Sequence, residues 1–238
     1  MSEQSRGRGD DVASLFDVLL PDTPLTDILQ RVAELAVRTI GNCSFSGITM
    51  AKKGRLETPV YTDARSPRVD AVQYEHQSGP CVDAFRLGEV FTISDTAVEQ
   101  RWPEFCRAAL AENIRSTLSV PLDVSGTRTD VLGGLNLYSE VPDGFDETSV
   151  AATQSFAHQA AVVVANAQAF WGVRELSDQL QHALESRAVI EQAKGVLMAR
   201  EGIDAERAFE VLVRASQREN RKLREIATTI VERASSGH

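Results

Sequence analysis

Three cysteines in 238 residues, none of them in a CxxC pair, offer neither a disulfide framework nor a zinc-type ligand set. Cys43, Cys81 and Cys106 stand far apart, a usage that suits a reducing compartment, and the expected location is the cytoplasm. Aromatic residues make up only 6% of the chain. No apolar run approaches the ~20 residues that a membrane-spanning helix needs, so no membrane partner is expected. The opening MSEQSRGRGD has no apolar core, unlike a secretion signal, and residues 1–11 read as a disordered tail. A basic excess is also missing, since the net charge is −9.

That charge is unevenly spread. Residues 1–172 hold 14 Lys/Arg against 23 Asp/Glu, whereas residues 173–238 hold 11 of each. An acidic bulk is a poor platform for nucleic acid, so only the C-terminal quarter can present a local basic face. The length leaves room for one large domain or two modest ones.

Leu25, Ile28, Leu29, Val32, Leu35 and Ala36 recur at helical spacing inside a helix expected over 11–40, with Pro24 in its first turn. From Cys43 to Ala51 the period changes to alternation, Lys52 to Arg55 makes a turn, and Leu56 to Thr62 returns as a second strand. Helices are expected over Pro67–Gln77, Pro80–Leu87 and Trp102–Asn113, with a strand at Val90–Ile93. Ser116–Val124 and Val131–Tyr138 form the clearest hairpin, around a polar turn from Ser125 to Asp130. Asp146 caps a long helix beginning near Glu147, whose Ala157, Ala160, Ala161, Val164 and Ala167 suit close packing. The fold class is therefore α+β, a mainly antiparallel sheet flanked by helices.

The last quarter reads as three short helices, about Leu184–Arg200, Ala205–Gln217 and Arg221–Arg233, with Asp204 and Asn220 as N-caps. Val189, Ala193, Val196, Leu197, Phe209, Leu212, Val213, Leu223, Ile226, Ala227 and Ile230 supply one small core. Phe209 is the only aromatic after residue 172 and is assigned to that core, so base recognition would fall to Arg, Lys, Asn and Ser. Gly195 sits inside the first helix, directly after Lys194, at a cost of roughly 1 kcal/mol against alanine. Either a packed neighbour or a ligand must come close to the backbone there. Upstream, Val173, Leu176, Leu180 and Ala183 follow a heptad-like seam, read either as one edge of a packed helix or, preferentially, as a two-stranded helix joining two chains.

Two resemblances organise these observations. GPCVDA at Gly79–Ala84, RWP at Arg101–Pro103, STLSVPL at Ser116–Leu122 and GGLNLY at Gly133–Tyr138 resemble GAF domains found beside ANTAR modules in actinobacteria. The run from Ser186 to Arg200 with its AKG, the Ala208–Phe209 pair and the Ser216-x-x-x-Asn220 spacing resemble the ANTAR domain. The implied organisation is a tail at 1–11, a GAF sensor domain at 12–170, a coiled-coil-like linker helix at 171–185 and a three-helix ANTAR module at 186–234. The ANTAR resemblance implies binding to paired RNA hairpins and antitermination of transcription. It carries over Arg187, Ala193, Lys194, Gly195, Ser216 and Asn220 as RNA-binding residues, and Arg221 and Lys222 join them on charge. Without the resemblance, the basic run Arg218-Glu-Asn-Arg-Lys-Leu-Arg224 reads as a solvated helix junction.

A GAF domain implies a cup for a small ligand, and the residues do not name it. Asn136 and Phe145-Asp146-Glu147 only fragmentarily match a cyclic-nucleotide motif. Haem would need an axial ligand, and His76 and His158 read better as surface or satisfied core residues. Cys81 follows Pro80 at a helix start, where the dipole favours a thiolate, making it the candidate redox-sensing residue; the alternative, which we favour, is a small buried residue in a tight turn. Methionine sulfoxide reduction, known for some GAF proteins, is not matched by the cysteine positions. The expectation is a non-enzymatic RNA-binding regulator, homodimeric through GAF and linker helices, with no metal and no cofactor that can be named. A DNA-binding regulator or a protein-interaction module is the alternative.

Overall fold

The computed structural model describes residues 23–52, 54–126 and 130–236. The expected tail, the first part of the 11–40 helix, and parts of the two hairpin turns lie outside the described residues. In chain order the elements are α1 (Leu25–Thr39), β1 (Phe45–Lys52), β2 (Arg55–Tyr61), α2 (Arg65–His76), α3 (Pro80–Leu87), β3 (Phe91–Ile93), α4 (Pro103–Ala111), β4 (Ser116–Asp123), β5 (Val131–Ser139), α5 (Glu147–Glu201), α6 (Ala205–Glu219) and α7 (Leu223–Ser235). Two compact units divide them, one running to Phe170 and the other from Trp171.

The first unit is built on a five-stranded sheet of order β2-β1-β5-β4-β3, with every neighbouring pair antiparallel. Alternation along the strands sorts the side chains by face. Ile48 and Met50 of β1, Leu118, Val120 and Leu122 of β4, and Leu135 and Leu137 of β5 join α1 and the first turns of α5 in one wholly apolar cluster. Alanines of α5 (Ala157, Ala160 and Ala161, all 0% exposed) allow that helix to lie close. The opposite face is mixed. Phe45 and Tyr138 stack with ring centroids 4.9 Å apart and continue into Val69, Ile93, Trp102, Phe105 and Ile114. Beside them the same face carries Thr49, Ser119 and Asn136, all buried.

Close approach of the central strands depends on Gly133, where an added Cβ would meet the Thr49 carbonyl oxygen at 2.0 Å. The sequence words GPCVDA and RWP turn out to be joined: the Trp102 indole donates to Asp83 Oδ2 over 2.8 Å, and Arg101 lies 4.4 Å over the Trp102 ring.

The second unit comprises the C-terminal part of α5 with α6 and α7. Gly202, at φ 66°, ends α5 with its N–H on the Met198 carbonyl, the left-handed stop that glycine tolerates best. Asp204 caps α6 by accepting from the Arg207 N–H over 2.8 Å. Ala193, Leu197, Ala208, Leu212, Ile226 and Ala227 form the core, with Val189, Leu223 and Ile230 partly buried against it.

Two expectations need correction. Phe209 is not core: it is 42% exposed, because Ala208 and Leu212 set the buried face of α6 and Phe209 falls beside it. Asn220 does not open the last helix. It closes α6 in the left-handed conformation (φ 50°), and Lys222 takes the N-cap of α7 without a side-chain cap bond.

Candidate functional site

The RNA-binding candidates fall on three short stretches of the second unit. On α5, Arg187 is exposed, and Lys194 is bound to Glu191 over 2.9 Å with only 17% of its side chain exposed. Ala193 is fully buried in the core, so its part is packing and not contact. Gly195 is exposed, and among the described residues nothing outside its own helix lies within 4 Å of where a Cβ would stand. A packed neighbour within the chain therefore does not explain the glycine.

At the α6–α7 turn, the Ser216 hydroxyl donates to the Arg221 carbonyl, and the Ser216 carbonyl accepts from the Arg221 N–H at 3.1 Å. Asn220 supplies the left-handed residue between them, a conformation asparagine adopts more readily than other non-glycine residues. Ser216 and Asn220 thus shape the turn that displays Arg221 and Lys222. Arg221 is held by Glu219 at 3.3 Å and Glu225 at 3.7 Å, while Lys222 and Arg224 have no carboxylate partner among the described residues. Arg221, Arg224, Thr228 and Thr229 line a groove of about 500 Å³ that also takes in Ser186 and Glu185 of α5. Arg224, which lines the groove, and exposed Phe209 stand outside the expected set of RNA-binding residues. Arg224 lay in view within the basic run, whereas exposure of an apolar residue is a packing outcome with no local signal.

In the first unit, the space under α2 and α3 is occupied by a chain of buried and half-buried polar side chains. Asp70 Oδ1 accepts from the Tyr138 hydroxyl (2.7 Å) and Gln73 Nε2 (3.1 Å), and Asp70 Oδ2 accepts from Thr58 Oγ1 (2.7 Å). Thr58 and Thr49 both bond the Tyr74 hydroxyl, at 2.7 and 2.8 Å. Thr49 and Asn136 Nδ2 reach the Cys81 sulfur at 2.9 and 3.2 Å. Asn136 Oδ1 is buried without a partner among the described residues. Burial raises the Asp70 carboxyl to about 6 despite its three donors.

In this setting Cys81 stands as a small buried residue, the favoured reading, and not as a thiolate. The side chain is 0% exposed, and burial, with the nearby Asp70 charge second, pushes the thiol up to about 12. The helix-start N–H of Cys81 is taken by Gln73 Oε1 at 2.9 Å, so desolvation outweighs the dipole and the group stays a neutral thiol. All three cysteines are free. His76 and His158 each place Nδ1 on a main-chain carbonyl, of Val72 and Asp123. Among the described residues no cluster of ligating side chains fits a metal ion, and no helix is long and apolar enough to cross a membrane.

Comparison with known proteins follows the same division. The GAF domain family model matches residues 22–165, and the ANTAR domain model matches residues 178–231. Among solved structures, the GAF domain of an Acinetobacter phosphoenolpyruvate-protein phosphotransferase is similar at a TM-score of 0.54 and 17% identity, over 71% of this chain and 97% of that one. A free methionine-R-sulfoxide reductase from Neisseria meningitidis, solved with its substrate, is similar at 0.53 and 17% identity, over 71% and 94%. The reduced form of the Staphylococcus aureus fRMsr gives 0.51 and 12%, over 69% and 96%. At such identities the likeness is one of fold. A search of the curated proteins finds no match.

Proposed function

The chain belongs to the GAF domain family and carries an ANTAR domain in its C-terminal quarter, and from that premise we propose that it is an RNA-binding regulator acting by transcription antitermination rather than an enzyme. ANTAR domains are RNA-binding antitermination regulators, and GAF domains sense signals. The observation that carries the reading is Gly195: an exposed glycine inside a helix, beside Lys194, with no neighbour among the described residues to account for it. A bare helix backbone is what a phosphate–sugar chain can approach closely. Arg187, Lys194, Arg221 and Lys222 supply the charge for phosphates, and Ser216 and Asn220 hold the turn from which the last two project.

The target proposed is a pair of RNA hairpins, bound by a homodimer in the cytoplasm. Supporting the dimer, residues 172–185 of α5 are exposed throughout, and the seam residues Val173, Leu176 and Leu180 are 70%, 57% and 58% exposed. An apolar seam of that kind on a long helix suits a second copy of the same helix. The GAF domain would then sense an input, dimerise, or do both.

The test is retention of a two-hairpin RNA library by the full chain, with matched duplex DNA as competitor, at two salt concentrations. Selective retention of paired hairpins supports antitermination. Preference for duplex DNA with a steep salt slope would replace it with a DNA-binding regulator, and retention of neither, by the full chain and by residues 171–238 alike, with a protein-interaction module. Lys194→Ala combined with Arg221→Ala should abolish retention while leaving the helical content unchanged.

A further inference from the structure

The arginines of the first unit fall into two kinds. Arg65, Arg68, Arg101, Arg107 and Arg115 each pair with a carboxylate. Arg31, Arg38, Arg55 and Arg86 pair with none among the described residues, and Arg55 and Arg86 line the same cavity of about 430 Å³. The cavity lies between the β1–β2 hairpin, at the edge of the sheet, and the C-terminal ends of α2 and α3, outside the space filled by the Asp70 network. Among the described residues no aspartate or glutamate lines it, in a chain whose net charge is −9.

Its chemistry is two-sided. Leu56, Tyr74 and Phe85, all half-buried, give it an apolar and aromatic wall. Arg86 is held in place by two neutral acceptors, donating to the Gln77 carbonyl at 2.8 Å and to Gln77 Oε1 at 2.7 Å. Its orientation is fixed and its charge is not cancelled. The end of α2 would oppose an anion through its unpaired carbonyls, but Gln77 O is covered by Arg86, and Tyr74 O by Gln77 Nε2 at 2.7 Å. Arg55, exposed on the edge strand β2, is free to close from the other side.

We propose that this cavity binds a small planar organic anion, an aromatic carboxylate, with its ring on Tyr74, Phe85 and Leu56 and its carboxylate between Arg55 and Arg86. Inorganic phosphate would leave the aromatic wall unused, a neutral ring would leave both guanidinium groups unmatched, and a cation would be repelled. The size is within the usual range for small-molecule sites. Tyr74 also connects the cavity to the interior, because its hydroxyl is bonded to Thr49 and Thr58 and, through Thr58, to Asp70. An occupant pressing on the Tyr74 ring therefore acts on a buried chain that ends on β5 at Tyr138 and Asn136. The proposal rests on the sensing half of the function above and not on RNA recognition.

The experiment is isothermal titration of the full chain at low salt with benzoate and 2-naphthoate, and with benzamide, acetate and inorganic phosphate as controls. Saturable binding of the aromatic carboxylates, with none of the controls binding comparably, is the expected result. Arg55→Gln, which removes no side-chain hydrogen bond or ion pair among the described residues, should weaken that binding about tenfold, the loss of one charge-assisted hydrogen bond. Arg86→Gln should weaken it at least as much, with circular dichroism reporting whether the end of α2 survives. Benzamide binding as well as benzoate, unchanged affinity in Arg55→Gln, or no saturable heat from either carboxylate would each overturn the proposal. RNA is absent from the titration, so failure of the antitermination reading would show separately, in the hairpin retention assay.

Discussion

The Asp70 carboxylate and the Tyr138 hydroxyl meet at 2.7 Å between α2 and β5, sealed from solvent, with no cation paired to the carboxylate among the described residues. Two further donors, Thr58 and Gln73, do not compensate for burial, and the carboxyl titrates near 6 in place of its ordinary 3.8. A raised folded-state value means that the fold holds the proton more tightly than the unfolded chain does. The contribution to stability is therefore complete below about 3.8 and is lost as pH rises through about 6. Between pH 5 and pH 7 the loss from this group is about 1 kcal/mol. Urea midpoints at the two pH values should show it in the native chain and not in Asp70→Asn, whose amide oxygen can still accept from Tyr138. Equal pH dependence in both proteins would mean that Asp70 is not the group responsible.

Gly133→Ala should destabilise the first unit by about 2 kcal/mol, as overpacking between fixed backbones does. The obstacle is a main-chain carbonyl, that of Thr49, at 2.0 Å from the new methyl group, and it cannot swing away like a side chain without disturbing the β1–β5 pairing. Thermal unfolding followed at the aromatic signal of the first unit would read the loss. A melting point unchanged within error would show that the strands can separate without cost.

How much of this was legible beforehand differs by element for physical reasons. The Ser116–Tyr138 hairpin and the apolar face of the sheet follow from strict alternation, which is local and survives any context. For Cys81 the helix start is visible in sequence, while the burial that overrides its dipole comes from β1 and β5, more than 30 residues away at Thr49 and more than 50 away at Asn136. The Asp70 network was invisible for the same reason: its members come from β1, β2, α2, α3 and β5. Phe209 went wrong because a one-residue step around a helix separates a core position from a surface one, and Ala208, the smaller residue, took the core. At the α6–α7 turn the cap signal was real but ambiguous, since asparagine serves both to open helices and to close them in the left-handed conformation.

Asn220 offers a way to separate folding from recognition. Asn220→Gly keeps the left-handed closure of α6 at little cost, whereas Asn220→Ala strains it by about 1 kcal/mol. If the Asn220 side chain touches RNA, both variants lose hairpin affinity, although only the alanine variant loses stability. If it serves only the turn, the glycine variant binds hairpins as the native chain does. We expect loss in both, read by filter retention alongside thermal melting.

Gly195→Ala sets stability and function against each other more sharply. The position is exposed, its helix is regular on either side, and among the described residues no atom outside the helix lies within 4 Å of the added methyl group. In an isolated chain the substitution should therefore stabilise the C-terminal unit by about 1 kcal/mol, the ordinary helix preference of alanine over glycine. Glu191 and Met198 stand one turn to either side on the same surface, and Met198 is itself 38% exposed, so the glycine sits in a shallow notch between longer side chains. A methyl group there does not disturb the fold but does stand between the helix backbone and a strand of RNA lying along it. The expected result is a higher melting point together with weakened hairpin binding, measured on the same preparation. A stabilised variant that binds hairpins with native affinity would remove Gly195 from the interface, and with it the main support for RNA lying along this part of α5.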